Sequence, residues 1–276
     1  MDVSVSAESS PVLSGKTIAG IPCFNTASHI ADVVTRTLPF VDEVVVIDDG
    51  STDNTAGIAA AAGATVVTHR PNAGYGAAIR SCFEYASTHG ADILVTLDGD
   101  GQHYPEDIPA LIAAFQMKGA AVVAGSRFLR VDGRPPRVNV PVYRAFGIRV
   151  ITLLFNLASG CRVTDAQCGL RAYNARAIEQ LIPESPGMDV SVELLVAARA
   201  KALRIVEVPV RCIYHGDGST LHPVPHGIRV ALAVVRLRGH AVMGRWRRRL
   251  RGEQTDVAQT AASRGDGAPP TGAHTL

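Results

Sequence analysis

Cysteine is scarce and its spacing is uninformative. The five residues Cys23, Cys82, Cys161, Cys168 and Cys212 are odd in number, and no two stand in CxxC spacing. That argues against a disulfide framework or a structural zinc site and points to a reducing compartment, the cytoplasm. Charge of one sign is also lacking: Lys+Arg 27 against Asp+Glu 25 gives a formal net charge of +2. A chain so nearly neutral lacks the overall basic field of a nucleic-acid binder, and at 5% aromatics its basic stretches lack stacking partners. No long apolar run is present. "AFGIRVITLLFNLA" (145–158) has 14 residues with Arg149 inside it, short of the roughly 20 needed to span a bilayer. It reads as a buried helix, with a surface contact as the alternative. The opening stretch has neither a basic region nor an apolar core, so no signal peptide is expected.

What is present is an alternation. The chain has 276 residues, 47% of them hydrophobic, enough for one large α/β domain or two small ones. Strands are expected at 16–21, 43–48, 64–69, 92–97 and 120–125, each a short apolar run. Between them apolar residues recur at helical spacing: Ile30, Val33, Val34 and Leu38, then Ile79, Cys82, Phe83 and Ala86, then Ile108, Leu111, Ile112 and Phe115. Ser51 is a candidate N-cap for a further helix that stops at Gly63. Apolar strands alternating with helices imply a mostly parallel central sheet covered on both faces. Beyond Gly125 come a basic Pro/Gly-rich loop (126–141), a helix (142–160), a short strand at "CGLRAY", a helix (191–202) and a strand (203–214) that Pro209 assigns to an edge or bulge.

Ligands of such sheets bind outside the carboxyl ends of the strands. That rule collects Pro22 to Asn25, Asp48 to Ser51, Arg70 to Asn72 and Asp98 to Gln102 on one rim. "LDGDGQH" ends a strand with Asp98 and Asp100 one residue apart. A calcium loop is excluded, since His103 and Pro109 stand where Gly and Glu are required. A solvated Asp/Gly turn is the alternative. With Asp48 and Asp49 on the same rim, a divalent cation would relieve the crowding of carboxylates. Mg²⁺ or Mn²⁺ held by one or two of them plus a diphosphate is the usual arrangement. Asp48 or Asp49 would then be free for a base or ribose. Asn72, Gly74 and Gly76 precede a helix and could bring backbone N–H groups to a phosphate, although Ile79 replaces the last glycine of a dinucleotide fingerprint. Arg127, Arg130, Arg134, Arg137 and Arg144 suit an anionic acceptor, or form a solvated basic loop. Asp165 is a candidate base or sugar-orienting group, or the cap of a turn. Residues 225–251 read as a basic amphipathic helix carrying Trp246, suited to an anionic membrane surface; a helix packed on the domain is the alternative.

In chain order, "IPCFN", "VVVIDDGSTDNT", "NAGYGAA", "VTLDGDGQHYPED", "VAGSRF", "TDAQCGLRAY" and "IVEVPV" resemble glycosyltransferase family 2, and within it the dolichyl- or polyprenyl-phosphate hexosyltransferases. The resemblance spans about residues 16–240. It implies one GT-A catalytic domain (15–224) between a flexible arm (1–14) and the basic helix (225–251), with a disordered tail (252–276). It implies an inverting transfer of a hexose from a nucleotide-diphosphate sugar, GDP-mannose or UDP-glucose or UDP-GlcNAc, to a polyprenyl phosphate at the inner face of the membrane. Position by position, Asp98, Asp100 and Gln102 match the metal and diphosphate motif. Pro22, Phe24, Asn25, Asp48, Asp49, Asn72, Gly76, Gln167 and His215 fall on the donor side. Arg127, Arg137, Arg144 and Arg171 fall on the acceptor side, with Asp98, Asp100, Asp165 and Arg127 as the catalytic set. The chain departs from the pattern at Thr26, where relatives often have Glu, and at Ser219–Thr220, where they often have Ser–Lys. Transfer to a saccharide hydroxyl or small molecule, and a non-catalytic nucleotide-binding α/β protein, are the competing readings. Oligomeric state is not legible.

Overall fold

A computed structural model describes residues 15–130, 140–159 and 162–214. The expected N-terminal arm, Arg134, Arg137, His215, the basic segment 225–251 and the tail lie outside the described residues.

Seven strands form one sheet in the order β3-β2-β1-β4-β6-β5-β7. They are β1 (Thr17–Cys23), β2 (Glu43–Asp48), β3 (Thr65–Thr68), β4 (Ile93–Thr96), β5 (Val122–Ser126), β6 (Arg171–Asn174) and β7 (Ile205–Pro209). All pairings are parallel except those of β6, which runs antiparallel to both β4 and β5. The reversal of β6 brings its start, Arg171, to the same rim as the ends of its neighbours: Arg171 stands opposite both Thr96 and Ala124. β7 pairs only with β5, so Pro209 does sit on an edge strand, where its missing N–H leaves no ladder bond unmade.

Alternation along the strands divides the core between two faces. Ile18, Val45, Ile47 and Leu94 pack with Ile79, Cys82 and Phe83 of α3 (Tyr75–Thr88) and with Leu194 and Leu195 of α7 (Val190–Ala200). Ala19, Ile21, Val44, Val46 and Val95 pack on the other face with Ile30, Val33 and Val34 of α1 (Ile30–Thr37) and with Ile108 and Leu111 of α4 (Ile108–Lys118). The periodicity that marked these helices is thus the stripe that each one buries.

Local expectations fail at three places. α2 begins at Thr55, not near Ser51. The Ser51 hydroxyl accepts instead from the Asn25 N–H at 2.9 Å, tying the loop after β2 to the loop after β1. Asp53 takes over the start of the helix, accepting from the Thr55 N–H at 3.0 Å. A short helix α6 (Ala175–Gln180), capped by the Asn174 side chain accepting from the Ala177 N–H, had no periodic signature of its own. α5 (Val142–Ser159) is not a buried helix: Ile148, Ile151 and Phe155 are buried, but Phe146, Leu153 and Leu157 are exposed. No helix among the described residues is long and apolar enough to cross a membrane.

Candidate active site

The rim is built from the loops after β1, β2, β3, β4 and β5. The Asp49 N–H donates to the Cys23 carbonyl at 2.8 Å, and the His69 N–H donates to the Asp48 carbonyl at 2.9 Å. The residues collected after β1, β2 and β3 are therefore neighbours in space.

Asp98 lies just beyond β4. Its Oδ1 accepts from the Tyr75 hydroxyl at 2.9 Å, and its Oδ2 faces His103 Nε2 at 3.3 Å. Burial would push this carboxyl up, but His103, Tyr75 and the nearby Arg127 outweigh it and hold the carboxyl below its ordinary range. Asp100 is placed differently. Its Oδ1 accepts from the Gln102 N–H at 2.9 Å, and both burial and the adjacent Asp98 push its carboxyl up. Gln102 and His103 are fixed from behind: the Ile213 N–H donates to the Gln102 carbonyl at 2.9 Å, and His103 forms a β-bridge with Cys212. His103 Nδ1 is buried without a hydrogen-bond partner among the described residues.

Among the described residues no three His, Cys, Asp or Glu side chains converge as a closed metal site. Mg²⁺ and Mn²⁺ bound with a diphosphate do not need one, because substrate oxygens and water complete the shell. The donor set fits such an ion. Two carboxylates stand one residue apart, and burial and the first push the second one up, a cost that a bound cation would relieve.

Among the residues expected to face a nucleotide, Pro22 and Asp48 lie buried at the ends of their strands, and Asp48 Oδ1 accepts from the Ser51 N–H at 3.2 Å. Asn25 adopts the left-handed region, φ 53°, and its Oδ1 accepts from the Thr52 N–H at 2.8 Å. The turn leaves Phe24 projecting, 50% exposed, as an aromatic face on the rim. Asp49 does not stand free for a base or ribose. Its Oδ1 accepts from the Ala73 N–H at 2.9 Å and its Oδ2 from the Gly74 N–H at 2.8 Å, while His69 Nδ1 lies 2.7 Å from Oδ1. The Asn72 side chain donates to the Asp49 carbonyl at 2.8 Å. These bonds fold the loop before α3 onto the loop after β2. Gly76 departs from its expected phosphate-facing place. Its N–H donates to the Pro186 carbonyl at 2.8 Å, and a Cβ there would collide with the Ser185 carbonyl. Glycine at 76 serves close packing of the 183–189 segment.

Among the residues expected to face an acceptor, Arg127 and Asp165 form a buried pair, Arg127 Nε donating to Oδ2 at 2.6 Å and Nη2 to Oδ1 at 3.0 Å. Arg127 Nη1 donates to the Tyr214 hydroxyl at 2.8 Å. The Arg144 guanidinium lies 5.3 Å from the centre of the Tyr214 ring. Asp165 is 0% exposed, and its Oδ1 also accepts from the Gln167 N–H at 3.1 Å. A carboxylate so enclosed is a poor general base; it positions Arg127 and Gln167. Arg171 likewise sits away from solvent, its three guanidinium nitrogens donating to the carbonyls of Cys168, Ser191 and Ala166. It braces the backbone and does not present a cation to an acceptor.

Reasoning from motifs missed Tyr75, His103, His69 and Tyr214. Tyr75 lies inside "NAGYGAA", which was read for Asn72 and its glycines, and His103 directly follows Gln102 in "GDGQHYP". Tyr214 carried no signal, since its contact with Arg127 crosses 87 residues. Glu207, known only as part of "EVP", accepts from the N–H groups of Thr164 and Asp165 and so fixes the turn that carries Asp165. Burial pushes the Cys23 thiol up to about 12 and the Cys212 thiol to about 11, so neither is a ready thiolate.

The undecaprenyl-phosphate mannosyltransferase of Micrococcus luteus is 34% identical over 236 residues, covering 82% of this chain and 94% of that one. The polyprenol monophosphomannose synthase of Mycolicibacterium smegmatis is 30% identical, covering 71% and 76%. Among solved structures, glucosyl-3-phosphoglycerate synthase from Mycobacterium tuberculosis, in complex with Mn²⁺, UDP and glucosyl-3-phosphoglycerate, superposes with a TM-score of 0.64 at 24% identity. That match covers 82% of this chain and 80% of the other. Residues 19–182 match the model for glycosyl transferase family 2. The chain, with its GT-A fold, belongs to that family and is a glycosyltransferase.

Proposed function

We propose that the protein moves a hexose from a nucleotide-diphosphate sugar, GDP-mannose or UDP-glucose or UDP-GlcNAc, to a polyprenyl phosphate, in one inverting displacement assisted by Mg²⁺ or Mn²⁺. The observation that carries the reading is Asp98 and Asp100, one residue apart on the rim, with Asp98 held by Tyr75 and His103 and Asp100 by the Gln102 N–H. The names of the relatives support the acceptor class.

In this reading Asp98 and Asp100, with Gln102, hold the metal, and Tyr75 and His103 orient Asp98. The bound ion neutralises charge that develops on the leaving nucleoside diphosphate. Phe24 and Asp48 border the nucleoside, while Asp49 and Asn72 keep the neighbouring loops in place. A lipid phosphate is already an anion at neutral pH and requires no strong base. It requires cations that offset its repulsion from the donor. This reading assigns that task to Arg144, stacked on Tyr214, with Arg127, already paired with Asp165, behind it. Gln167, whose N–H donates to Asp165, is assigned to the sugar. Arg137 and His215 keep their proposed roles on the acceptor and donor sides. The membrane surface is proposed as the place of work, at its cytoplasmic face, with the basic segment 225–251 as one contact.

A donor panel with Mn²⁺ or Mg²⁺, with and without a polyprenyl phosphate, tests the reading. Radiolabel from one donor should enter the organic phase only when lipid phosphate is present, and Asp100→Asn should reduce that transfer at least about 100-fold. Label that stays in the aqueous phase with every polyprenyl phosphate refutes the acceptor class. An Asp100→Asn protein with full activity refutes the metal seat.

A further inference from the structure

Behind the carboxylate pair, three polar side chains form a chain of their own. His69, just beyond β3, lies between Asp49 and Ser81. Its Nδ1 is 2.7 Å from Asp49 Oδ1, and its Nε2 is 2.9 Å from the Ser81 hydroxyl. Asp49 is 3% exposed and already accepts from two backbone N–H groups, so it is the acceptor here and Nδ1 carries the proton. A hydroxyl can donate or accept, so Ser81 satisfies Nε2 whether the ring is neutral or charged. The order Asp–His–Ser is that of a nucleophile relay. Ser81, however, stands in the middle of α3, where helical bonding commits the backbone N–H groups that an oxyanion would need. The cluster holds a position and does not attack.

What it holds is the start of α3. The Asp49 carboxylate that meets His69 also receives the N–H groups of Ala73 and Gly74, at 2.9 and 2.8 Å. Gly74, at φ 96°, permits the sharp entry into the helix, and its bond to Asp49 fixes that entry. The next residue is Tyr75, whose hydroxyl donates to Asp98 Oδ1 at 2.9 Å. Two consecutive residues therefore join the His69 cluster to the Asp98 carboxylate. Ser81 adds a second grip on the same helix, roughly 9 Å beyond Tyr75 along the axis. His69 is pinned in turn through its backbone, since its N–H donates to the Asp48 carbonyl at 2.9 Å.

We propose that His69 is a positioning residue of the metal seat: it locks Asp49 against α3 and, through Gly74 and Tyr75, sets the orientation of Asp98. The inference rests on the reading of Asp98 and Asp100 as that seat, and it names the residues that aim it from outside. His69 itself touches no reacting atom in this account and acts through Asp49 and Tyr75.

The test compares the full chain with His69→Leu, His69→Asn, Ser81→Ala, Tyr75→Phe and the His69→Leu/Tyr75→Phe double variant. Leucine fills space and removes both hydrogen bonds of the ring; asparagine returns a donor near the place of Nδ1. Two measurements need no turnover. One is Mn²⁺ binding, followed by the paramagnetic resonance of the free ion, with Asp100→Asn as the reference for a lost seat. The other is the ¹⁹F resonance of Tyr75 in protein labelled with fluorotyrosine, assigned by its absence from Tyr75→Phe. His69→Leu should shift or broaden the Tyr75 resonance and weaken Mn²⁺ binding about tenfold, the scale for losing a group that orients a metal ligand. Tyr75→Phe should weaken binding about as much. The double variant should bind no worse than the poorer single variant, because both changes act along one connection. His69→Asn should recover most of the loss. Should leucine at 69 prevent folding, Ser81→Ala carries the same comparison, with a smaller change in the same direction. An unmoved Tyr75 resonance or an unchanged Mn²⁺ affinity overturns the proposal and leaves the cluster a structural brace, seen only in the melting temperature. Additive losses in the double variant overturn it too. Where the parent binds Mn²⁺ no better than Asp100→Asn, the metal seat is refuted instead, and the Tyr75 resonance alone judges the clamp.

Discussion

Gly169 has no side chain where Asp98 lays its carboxylate: a Cβ built there would stand 2.8 Å from the Asp98 Cγ and closer still to Oδ2. Two segments 71 residues apart in sequence thus share one small volume, and the orientation of Asp98 depends on it. Tyr75 and His103 hold the carboxylate oxygens, and Gly169 supplies the floor.

Gly169→Ala should therefore act on Asp98. The backbone at 169 is not in the left-handed region, so alanine brings steric displacement without conformational strain. The expected result is a 10- to 100-fold loss of metal-dependent turnover, roughly the penalty for misplacing a catalytic group by an ångström. The Mn²⁺ concentration for half-maximal activity should rise. Turnover and a metal titration on the same sample check it; an unchanged metal requirement would show that Asp98 tolerates the shift.

Asp165 separates positioning from proton transfer. Asp165→Asn removes one partner of a buried ion pair, which should cost about 3 kcal/mol of stability and lower kcat by loosening Arg127. Because Asp165 is enclosed and reaches no reacting atom in this reading, the pH profile of kcat should keep its shape. Loss of one limb of that profile in the variant would restore the general-base role.

Phe24 is the exposed aromatic of the nucleotide side. Base–aromatic stacking is worth about 1–3 kcal/mol, so Phe24→Ala should raise the donor KM roughly tenfold and leave kcat close to parental. Leucine at 24 should recover only part of the loss. A fall in kcat with KM unchanged would move Phe24 away from the base.

Acid sensitivity has a local source at Glu43. The Tyr85 hydroxyl, 2.5 Å from Oε1, and then Lys16, 2.9 Å from Oε2, hold its carboxyl below the ordinary value of 4.5. A carboxyl lowered by folding stabilises the fold above its unfolded pKa, and that contribution disappears as pH falls through the folded value. Glu43→Gln should lower stability by about 1 kcal/mol at pH 7, the scale of one such hydrogen bond, and by progressively less below pH 4.5. Urea midpoints of parent and variant at several pH values check the convergence.

Much of the fold and part of the site were legible in the chain itself, for a local reason. Hydrophobic period and glycine or proline punctuation are properties of neighbouring residues. Strand 43–48, the strand expected at 120–125 and found at 122–126, helix 75–88 and the placing of Asp48 and Asp98 at strand ends follow from them, and Pro209 marked its edge strand. The carboxyl-end rule then gathered the rim, and the order of seven short motifs pointed to the family.

What each polar group does was decided only by tertiary structure. Ser51, Asp49, Gly76, Asp165 and Arg171 all carry residue types suited to capping, binding or catalysis. Their partners lie across the fold: Asn25 for Ser51, Ala73 and Gly74 for Asp49, Ser185 and Pro186 for Gly76. Asp165 is enclosed by Arg127, and Arg171 by three carbonyls. The outward face of α5 is of the same kind, because an apolar helix reads alike whether or not a neighbour covers it. A buried polar group must be paired, but which partner it meets depends on strand order and the single reversed strand β6. Chemical capacity was thus written in the sequence, and long-range packing determined which groups remain available to use it.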